Sequence, residues 1–409
     1  MTILDDYVAG GTGYEGFEAE LKDFCKNTVV YRVTNCGFTL MSFKRSMNKL
    51  YEFYGLNKDA IHDFNNGKTD LHTYCIKANN AEDEALLSEV KRTSGMILVY
   101  GNQLSMFVSR NAVSQLAANA GATGLSRRHS LCRSLYLAEG LFAPDKNSYG
   151  DRLAESVLVC RTQRVPATNP TAVRKVFAIM GKNYNYTSLN TAKEVIDHIL
   201  AEGHPLGCPE VKEWSFTHEK MQVHLEFPAL SVRYEDGQGM QDVIIPGFTI
   251  TDSDTGHSSF CVNLTFRIGG CPKRVILDGR QWMHTASINL DEVYLFLYKE
   301  FMPRLDGLQS SLEKKQGNMV TFSKDNFRCW EKALHIVGMI GKKNEMKLAE
   351  MFFGQFESDS EHSEYEMVRF FIVSGSKLDL LPYAADNFAL AGGKAPFVED
   401  GQVVTPWED

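Results

Sequence analysis

Hydrophobic side chains recur at helical spacing in several segments of the chain. Between residues 14 and 27, Phe17, Leu21 and Phe24 fall on one face of a helix. Similar spacing predicts helices over residues 43 to 55, 170 to 180, 189 to 203 and 344 to 356. A longer helical pattern covers residues 290 to 316, and Pro303 inside it predicts a kink or a break, because proline removes a backbone hydrogen bond.

Alternating hydrophobic and polar residues predict strands in two parts of the chain. Residues 28 to 34 and 38 to 43 have the pattern of a hairpin around the turn Asn35-Cys36-Gly37. Residues 210 to 228 alternate around a turn near residues 217 to 219. Two further strands, at residues 243 to 251 and 258 to 268, flank a polar loop. Strands joined by short turns in this way favour an antiparallel sheet.

Together these elements predict an α+β protein with a mixed N-terminal region, a central antiparallel β-rich domain and a helical C-terminal region. The 409 residues allow two or three domains. We divide the chain into an N-terminal α/β region at residues 1–94, an α+β core domain at 95–317, a helical region at 318–380 and an acidic tail at 381–409.

Residues 102 to 121 combine a strand and a capped helix in one unit. The strand LSMFV is followed by Ser109 and Asn111, whose side-chain oxygens can accept hydrogen bonds from the first free N–H groups of a helix. Val113, Leu116 and Ala117 then recur on one helical face. This strand–helix unit is the first of three segments that point to a family.

The three segments together resemble a family of phage- and plasmid-encoded proteins whose defining domain has no settled function. The second segment is the strand VLVCRT at residues 157 to 162, followed by Val173, Arg174 and Tyr184, and it is similar to the family's strand, Val-Arg pair and nearby Tyr. The third segment, residues 248 to 279, is similar to the family's strand, glycine turn, second strand and Arg-to-Cys run. The resemblance implies a mobile-element origin near genes of DNA metabolism, but no reaction. It covers about residues 95 to 315 and is carried by Ala112, Gln115, Leu116, Ala117, Val173, Arg174, Tyr184, Thr255, Gly256, Arg267 and Cys271.

Charge and cysteine usage limit the class of protein. The formal net charge of −8 argues against a broad, non-specific duplex binder, which would concentrate lysine and arginine. The nine cysteines are scattered without a CxxC motif, which is typical of reduced thiols in the cytoplasm. The N-terminus lacks a basic segment followed by an apolar one, and no apolar run is long enough for a membrane span.

A basic stretch interleaved with tyrosines is the strongest functional signal. Single-strand binders combine a cationic groove for phosphates with aromatic faces for the bases. Arg161 and His129 belong to the same stretch. The alternative is a solvated helix face with tyrosines in the core, since Glu139, Asp145, Asp151 and Glu155 dilute the charge. The predicted nucleic-acid-binding residues are Arg127, Arg128, Arg133, Arg164, Arg174, Lys175, Lys182, Tyr184 and Tyr186.

The C-terminus is the second functional signal. It ends in VTPWED, where Trp407 precedes Glu408 and Asp409. Acidic tails act as interaction elements, and this one resembles the aromatic-tipped tails of single-strand-binding proteins that dock on replication partners. These three residues are therefore the predicted partner-binding site. A frayed end without a function is the alternative.

Other motifs are weaker candidates for chemistry. Residues 11 to 16 fit GxGxxG, but a dinucleotide site needs a strand immediately before the motif, and Asp5 and Asp6 interrupt the ten residues that precede Gly11, so we predict a flexible turn. The polar loop with Asp252, Asp254 and His257 has turn chemistry more than catalytic chemistry. Scattered histidines and cysteines could ligate zinc, but we expect structural histidines and buried thiols, since no two close pairs stand out among His204, Cys208, His218, His224, His257, Cys261 and Cys271.

The sequence thus predicts a phage-encoded, non-enzymatic protein that binds single-stranded DNA in the host cytoplasm. It would act in phage replication, recombination or transcription, for example by recruiting a phage polymerase. No cofactor, metal, membrane or catalytic residue is predicted. One alternative is an interaction protein that binds or inhibits a host factor, for which a net acidic surface is suitable. The other is a metal-dependent enzyme that acts on nucleic acid.

Overall fold

The computed structural model describes the chain in segments. These are residues 2–34, 38–45, 50–56, 73–77, 85, 97–100, 104–119, 155–162, 174–202, 207–235, 241–269, 274–284, 287–321, 341–356, 360–366, 369–370, 397–399 and 402–404. The described helices are α1 (Tyr14–Lys26), α2 (Arg110–Asn119), α3 (Asn190–Glu202), α4 (Leu290–Phe296), α5 (Met302–Gly317) and α6 (Gly341–Gln355). A π-helical turn (Leu297–Phe301) joins α4 to α5, and a short 3₁₀ turn spans Pro228–Leu230.

The described strands outnumber the helices and make two large sheets. With the helices they confirm the predicted α+β class. In chain order the strands are β1 (Val8–Gly11), β2 (Thr28–Thr34), β3 (Phe38–Arg45), β4 (Leu50–Leu56), β5 (Thr73–Lys77), β6 (Ile97–Tyr100), β7 (Leu104–Val108), β8 (Glu155–Thr162), β9 (Arg174–Gly181), β10 (Glu210–Thr217), β11 (Met221–Glu226), β12 (Val232–Glu235), β13 (Gln241–Asp252), β14 (Phe260–Ile268), β15 (Arg274–Trp282), β16 (Met319–Thr321), β17 (Glu361–Ser363), β18 (Phe397–Glu399) and β19 (Gln402–Val404).

The seven-stranded sheet is entirely antiparallel. Its order is β1-β10-β11-β13-β14-β15, and β12 pairs with the first part of β13. The turn predicted near residues 217 to 219 joins β10 to β11, and the polar loop joins β13 to β14. The alternating pattern of residues 210 to 268 therefore predicted these pairings because each strand has one buried face.

The eight-stranded sheet joins strands from both sides of residue 94. Its order is β2-β8-β9-β7-β6-β3-β4-β5, and the pairing of β7 with β9 is parallel. The predicted hairpin of β2 and β3 is wrong, because β2 pairs with β8 whereas β3 pairs with β4 and β6. All seven residues of β2 pair with β8, whose VLVC run is buried.

Two predicted helices are strands instead. Residues 43 to 55 contain the end of β3 and most of β4, and residues 174 to 181 form β9 rather than the end of a helix. In β9 the successive residues Val176, Phe177, Ala178 and Ile179 are all buried. A short run that is covered on both faces has no helical or alternating signature, so its periodicity cannot distinguish strand from helix.

One face of the seven-stranded sheet carries the main core. Helix α1 buries Phe17, Leu21 and Phe24 against it, as predicted, and α3 and α4 pack beside α1. Phe301 of the π-helical turn stacks on Phe248 of β13, with ring centroids 5.7 Å apart. Helices α1, α3 and α4 therefore cover one face of this sheet, and they do not cover the opposite face.

The long helix predicted at residues 290 to 316 is interrupted, as proline led us to expect. Helix α4 is followed by the π-helical turn, and α5 begins at Met302. Pro303 lies in the first turn of α5, where its missing N–H would have had no partner in the helix. Asn289 caps α4 by accepting a hydrogen bond from the N–H of Asp291 at 3.1 Å.

The two large sheets meet at Arg161, a fully buried side chain of β8. Its guanidinium donates to both carboxylate oxygens of Asp254 in the β13–β14 turn, at 2.7 and 2.6 Å, and to Thr28 Oγ1 at 2.6 Å. The same guanidinium lies 4.2 Å from the ring centre of Phe24 in α1. Because water hardly reaches either charge, each charge is stabilised by the opposite charge of its partner instead of by solvent.

Removing the guanidinium should therefore destabilise the protein strongly. In Arg161→Met the Asp254 carboxylate stays buried without its cation, and we expect a loss of about 3–5 kcal/mol in the free energy of unfolding. Chemical denaturation followed by circular dichroism measures this. The exposed Arg233 in β12 provides the matched control, and Arg233→Met should change stability by no more than about 0.5 kcal/mol. A loss of similar size in both variants would contradict the importance of the buried pair.

Candidate functional site

The GxGxxG motif lies in an ordered strand–turn–helix rather than in the flexible turn that we predicted. Strand β1 leads through Gly13, which has a φ of 77°, into α1. Strand β1 is, however, an antiparallel edge strand, whereas a dinucleotide site requires a parallel one. A Cβ at Gly11 would collide with the ring of Trp214, and Gly16 lies against the same ring. Packing against Trp214 therefore explains both glycines.

Two cations of the basic stretch are buried and paired, which removes them from the predicted DNA-binding surface. Arg161 is fully enclosed by its contacts at the junction of the sheets. Lys175 is 1% exposed, and its Nζ lies 2.7 Å from Asp5 Oδ1. As placed, neither cation can reach a phosphate of an external strand, so the prediction for Lys175 is corrected to a structural ion pair.

The two tyrosines of the basic stretch also belong to the junction of the sheets. The hydroxyl of Tyr184 donates to the main-chain carbonyl of Asp254 at 3.2 Å. Burial raises the pKa of both Tyr184 and Tyr186, and the nearby charge of Asp254 raises it further. Rings that are held half-buried in this way do not offer an open face for base stacking.

The remaining predicted residues divide into two groups. Lys182 is exposed in the turn after β9, and Arg174 begins β9. The other predicted positions lie outside the described residues, so their roles stay predictions. They are Arg127, Arg128, Arg133, Arg164, Trp407, Glu408 and Asp409.

The polar loop between β13 and β14 is a buried turn at the junction of the sheets. Gly256 has a φ of 68°, and a Cβ there would collide with Met180. Asp252 is fully buried with its Oδ1 3.2 Å from His284 Nε2, and burial raises the pKa of this carboxyl. His257 is half-exposed, and its Nε2 lies 3.6 Å from Oε2 of Glu219. The turn chemistry that we predicted for this loop accounts for its glycine and its enclosed carboxylates.

The candidate zinc ligands have other roles where they are described. Cys261 is partly buried, Cys208 is exposed, and His218 stacks on Phe177 with ring centroids 3.8 Å apart. In the part of the chain that the structure describes, no group of three or more histidine, cysteine or acidic side chains could hold a metal ion. His204 and Cys271 lie outside the described residues. Metal analysis of the purified protein would test the hypothesis of a metal-dependent enzyme.

Strand pairing builds a polar surface that sequence reasoning missed. Side chains alternate between the two faces of a sheet, so Phe216, Val223, Ile250 and Val262 enter the core while their neighbours point the opposite way. This second face, which we call the open face, has a groove of about 380 Å³ across five strands. Its side chains include Gln222, His224, Thr249, Thr251, Asn263 and Thr265.

Glu213, Lys220 and Arg274 line the groove, and Arg274 connects it to the neighbouring pair of Glu226 and Arg267, which do not line it. Arg274 donates to Glu213 at 2.9 Å and to Glu226 at 3.2 Å, and Arg267 donates to Glu226 at 2.8 and 3.0 Å. Burial alone would raise the pKa of Glu226, but the two arginines hold it below its usual value. Lys220, which also lines the groove, forms no ion pair among the described residues.

Arg274 and His224 are two partly buried nitrogen-bearing side chains of the groove. Arg274 has a side chain that is only 10% exposed, and its Nε finds no acceptor in the described part of the protein. His224 Nδ1 lies 2.7 Å from Thr249 Oγ1. Burial, followed by the charges of Arg274 and Lys220, lowers the pKa of His224 to about 3, so its ring is neutral near pH 7. The groove can therefore bind a polar ligand with a negatively charged group.

No helix among the described residues is long and apolar enough to cross a membrane.

Acidification should destabilise the junction through His218. Burial, together with the charges of Arg161 and Lys175, lowers the pKa of His218 to about 2 in the folded protein. The unfolded histidine titrates near pH 6.5, so below that pH the unfolded chain binds the extra proton and stability falls. Between pH 7 and pH 5 we expect a loss of about 2 kcal/mol from this residue.

Denaturation at the two pH values checks this expectation by difference. His218→Gln should lose less stability between pH 7 and pH 5 than the unaltered protein does, whatever its stability at pH 7. His257→Gln, which removes a half-exposed imidazole from the β13–β14 turn, is the matched control for the loss of a histidine as such. An unchanged pH dependence in His218→Gln would show that the histidine is accessible to protons in the fold.

The comparisons with known proteins do not add a relative. No family, curated protein or solved structure matches this chain at a significant level.

Proposed function

We propose that this chain is a phage-encoded, non-enzymatic protein that binds a single strand of DNA in the groove of the open face. The observation that supports this most is that five strands align Lys220, Arg274 and a set of hydroxyl and amide side chains along one groove. Phosphates bind lysine and arginine, while sugars and base edges need neutral donors and acceptors. The groove combines both kinds of group.

The dimensions and charge of the groove favour a single strand over a duplex. A volume of about 380 Å³ is in the lower part of the range for small-molecule sites, and it suits a short piece of an unpaired strand. The formal net charge of −8 opposes a long duplex, which carries two strands of phosphates. Glu213 lines the same groove and pairs with Arg274, which limits the cationic surface that is left for phosphates.

The mode of binding differs from the one that the sequence suggests. Among the described residues that line the groove, His224 is the only aromatic one, so base stacking contributes little. Phosphate contacts and hydrogen bonds would then supply the affinity, which makes it strongly dependent on salt and tolerant of base sequence. Tyr184 and Tyr186 support the fold instead.

The proposed cellular role is the one that the sequence predicts. The protein would act in phage replication, recombination or transcription, and Trp407, Glu408 and Asp409 would recruit a phage polymerase. The host cytoplasm is the proposed compartment. Cys25, Cys208 and Cys261 are free thiols, which supports a reducing environment.

Removing the unpaired cation of the groove should weaken binding of single-stranded DNA. Fluorescence anisotropy with a labelled oligonucleotide at low salt measures the affinity, with duplex DNA and single-stranded RNA for comparison. For Lys220→Ala we expect a loss of about threefold to tenfold, and a slope of log affinity against log salt that is shallower by about 0.7, which corresponds to one phosphate contact.

A matched control separates this contact from general charge effects. Lys299 is exposed in the helical layer on the opposite side of the sheet, and Lys299→Ala should leave the affinity and the salt slope nearly unchanged. Absence of binding to any of the three nucleic acids would end the proposal. An equal loss in both lysine variants would exclude the groove as the site.

The arginines predicted from sequence can be tested independently of the groove. If Arg127 and Arg128 contact the same strand, the double variant Arg127→Glu with Arg128→Glu should reduce the affinity by more than Lys220→Ala does, because it reverses two charges. The same anisotropy titration measures it. An unchanged affinity would restrict the interface to the groove and withdraw these two arginines.

A further inference from the structure

Three aromatic rings form a surface cluster on the helical layer, away from the groove. His198 of α3 packs against Tyr294 of α4 in a tilted arrangement with ring centroids 3.9 Å apart, and it meets Tyr298 edge-on at 5.7 Å. Tyr298 is 36% exposed, and the neighbouring Leu295 is 53% exposed. Tyr298 lies in the π-helical turn, and such turns are often found at functional sites. The aromatic cluster is therefore an exposed apolar surface with fixed ring geometry.

Carboxylates border this aromatic cluster in a regular arrangement. Glu194, His198 and Glu202 are spaced four residues apart, so they share one face of α3, over a length of about 12 Å. Asp291 precedes Tyr294 by one turn on α4. Burial raises the pKa of Tyr294 and of Tyr298, and the charges of Glu194 and Glu202, respectively, raise it further.

The carboxylates on α3 remain available to a partner. Glu194 and Glu202 are exposed and form no ion pair among the described residues. The nearby Lys193 already pairs with Glu18 and Asp197, so it does not neutralise them. Lys299 follows Tyr298 and is the nearest opposing charge in sequence. The local field around the aromatic cluster is therefore negative, and electron-rich ring faces attract cations in the same way.

We propose that the aromatic cluster with Glu194 and Glu202 is a docking surface for an extended segment of a partner protein that carries arginine or lysine. One cation would lie on the exposed ring of Tyr298 and pair with Glu202, and a second would reach Glu194. The separation of about 12 Å corresponds to three or four residues of extended chain, so cations at that spacing fit best. This inference does not depend on DNA binding.

A titration with a cationic peptide tests the docking surface. Fluorescein-labelled hexa-arginine should bind the full chain at low salt, and labelled hexa-glutamate should not. Tyr298→Ala and Glu202→Gln should each weaken binding of hexa-arginine by about threefold. Tyr298→Phe should retain the affinity, since a phenyl ring also attracts a guanidinium. Both residues are exposed, and thermal unfolding will verify that the variants fold.

Matched controls distinguish docking from attraction to an acidic protein. Phe353 in α6 is 38% exposed and Glu210 in β10 is exposed, and both lie outside the aromatic cluster. Phe353→Ala and Glu210→Gln should leave binding of hexa-arginine unchanged. Absence of binding by the unaltered protein, an unaffected Tyr298→Ala, or equal losses in the controls would each overturn the proposal. Tyr298→Ala should still bind the oligonucleotide normally, so failure of one proposal is separable from failure of the other.

Discussion

The buried pair of Arg161 and Asp254 is the constraint on which the arrangement of the two sheets depends. An isolated buried charge costs several kcal/mol, so the guanidinium and the carboxylate must meet wherever the chain encloses them. Arg161 comes from the eight-stranded sheet, and Asp254 from a turn of the seven-stranded one. Their contact fixes the β13–β14 turn, and Gln115 of α2 reinforces it by donating to the carbonyl of Thr255 at 2.8 Å. Replacing such a pair by apolar residues can be neutral, so its value here is in selecting one arrangement.

The two faces of the seven-stranded sheet have different surroundings and carry different side chains. On the core face, aromatic side chains pack under α1, α3 and α4. On the open face, Arg274 keeps partial access to a groove and has an Nε without an acceptor in the described protein. Arg161 has similar chemistry, since both arginines bond carboxylates through their terminal nitrogens and both have an Nε without an acceptor in the described protein. The two differ in enclosure, because the Arg161 side chain is fully buried whereas that of Arg274 is 10% exposed.

The sequence predicted elements whose pattern is local and missed features that depend on pairing across long distances. Helix α1 was predictable because Phe17, Leu21 and Phe24 repeat within one amphipathic segment. Strand β9 was not, because burial on both faces removes its alternation. Arg161 could not be recognised as structural, since its carboxylate partner lies 93 residues away. The groove was missed because each strand contributes only one or two side chains. The sequence nevertheless contains a signal for this polar face, because the polar residues Gln222, His224 and Glu226 alternate with apolar ones along β11.

The acidic character of the chain is compatible with nucleic-acid binding if charges are segregated by the sheet. The exposed carboxylates Glu194 and Glu202 lie in the helical layer, whereas Lys220 and Arg274 line the opposite side together with Glu213, which pairs with Arg274. Screening reduces the interaction of exposed charges beyond about 8–10 Å, so carboxylates across the thickness of a helix and a sheet repel a bound strand only weakly. A strand in the groove and a basic segment on the aromatic cluster would then occupy different surfaces without competing. This geometry would allow one molecule to hold a strand and a basic partner protein at the same time.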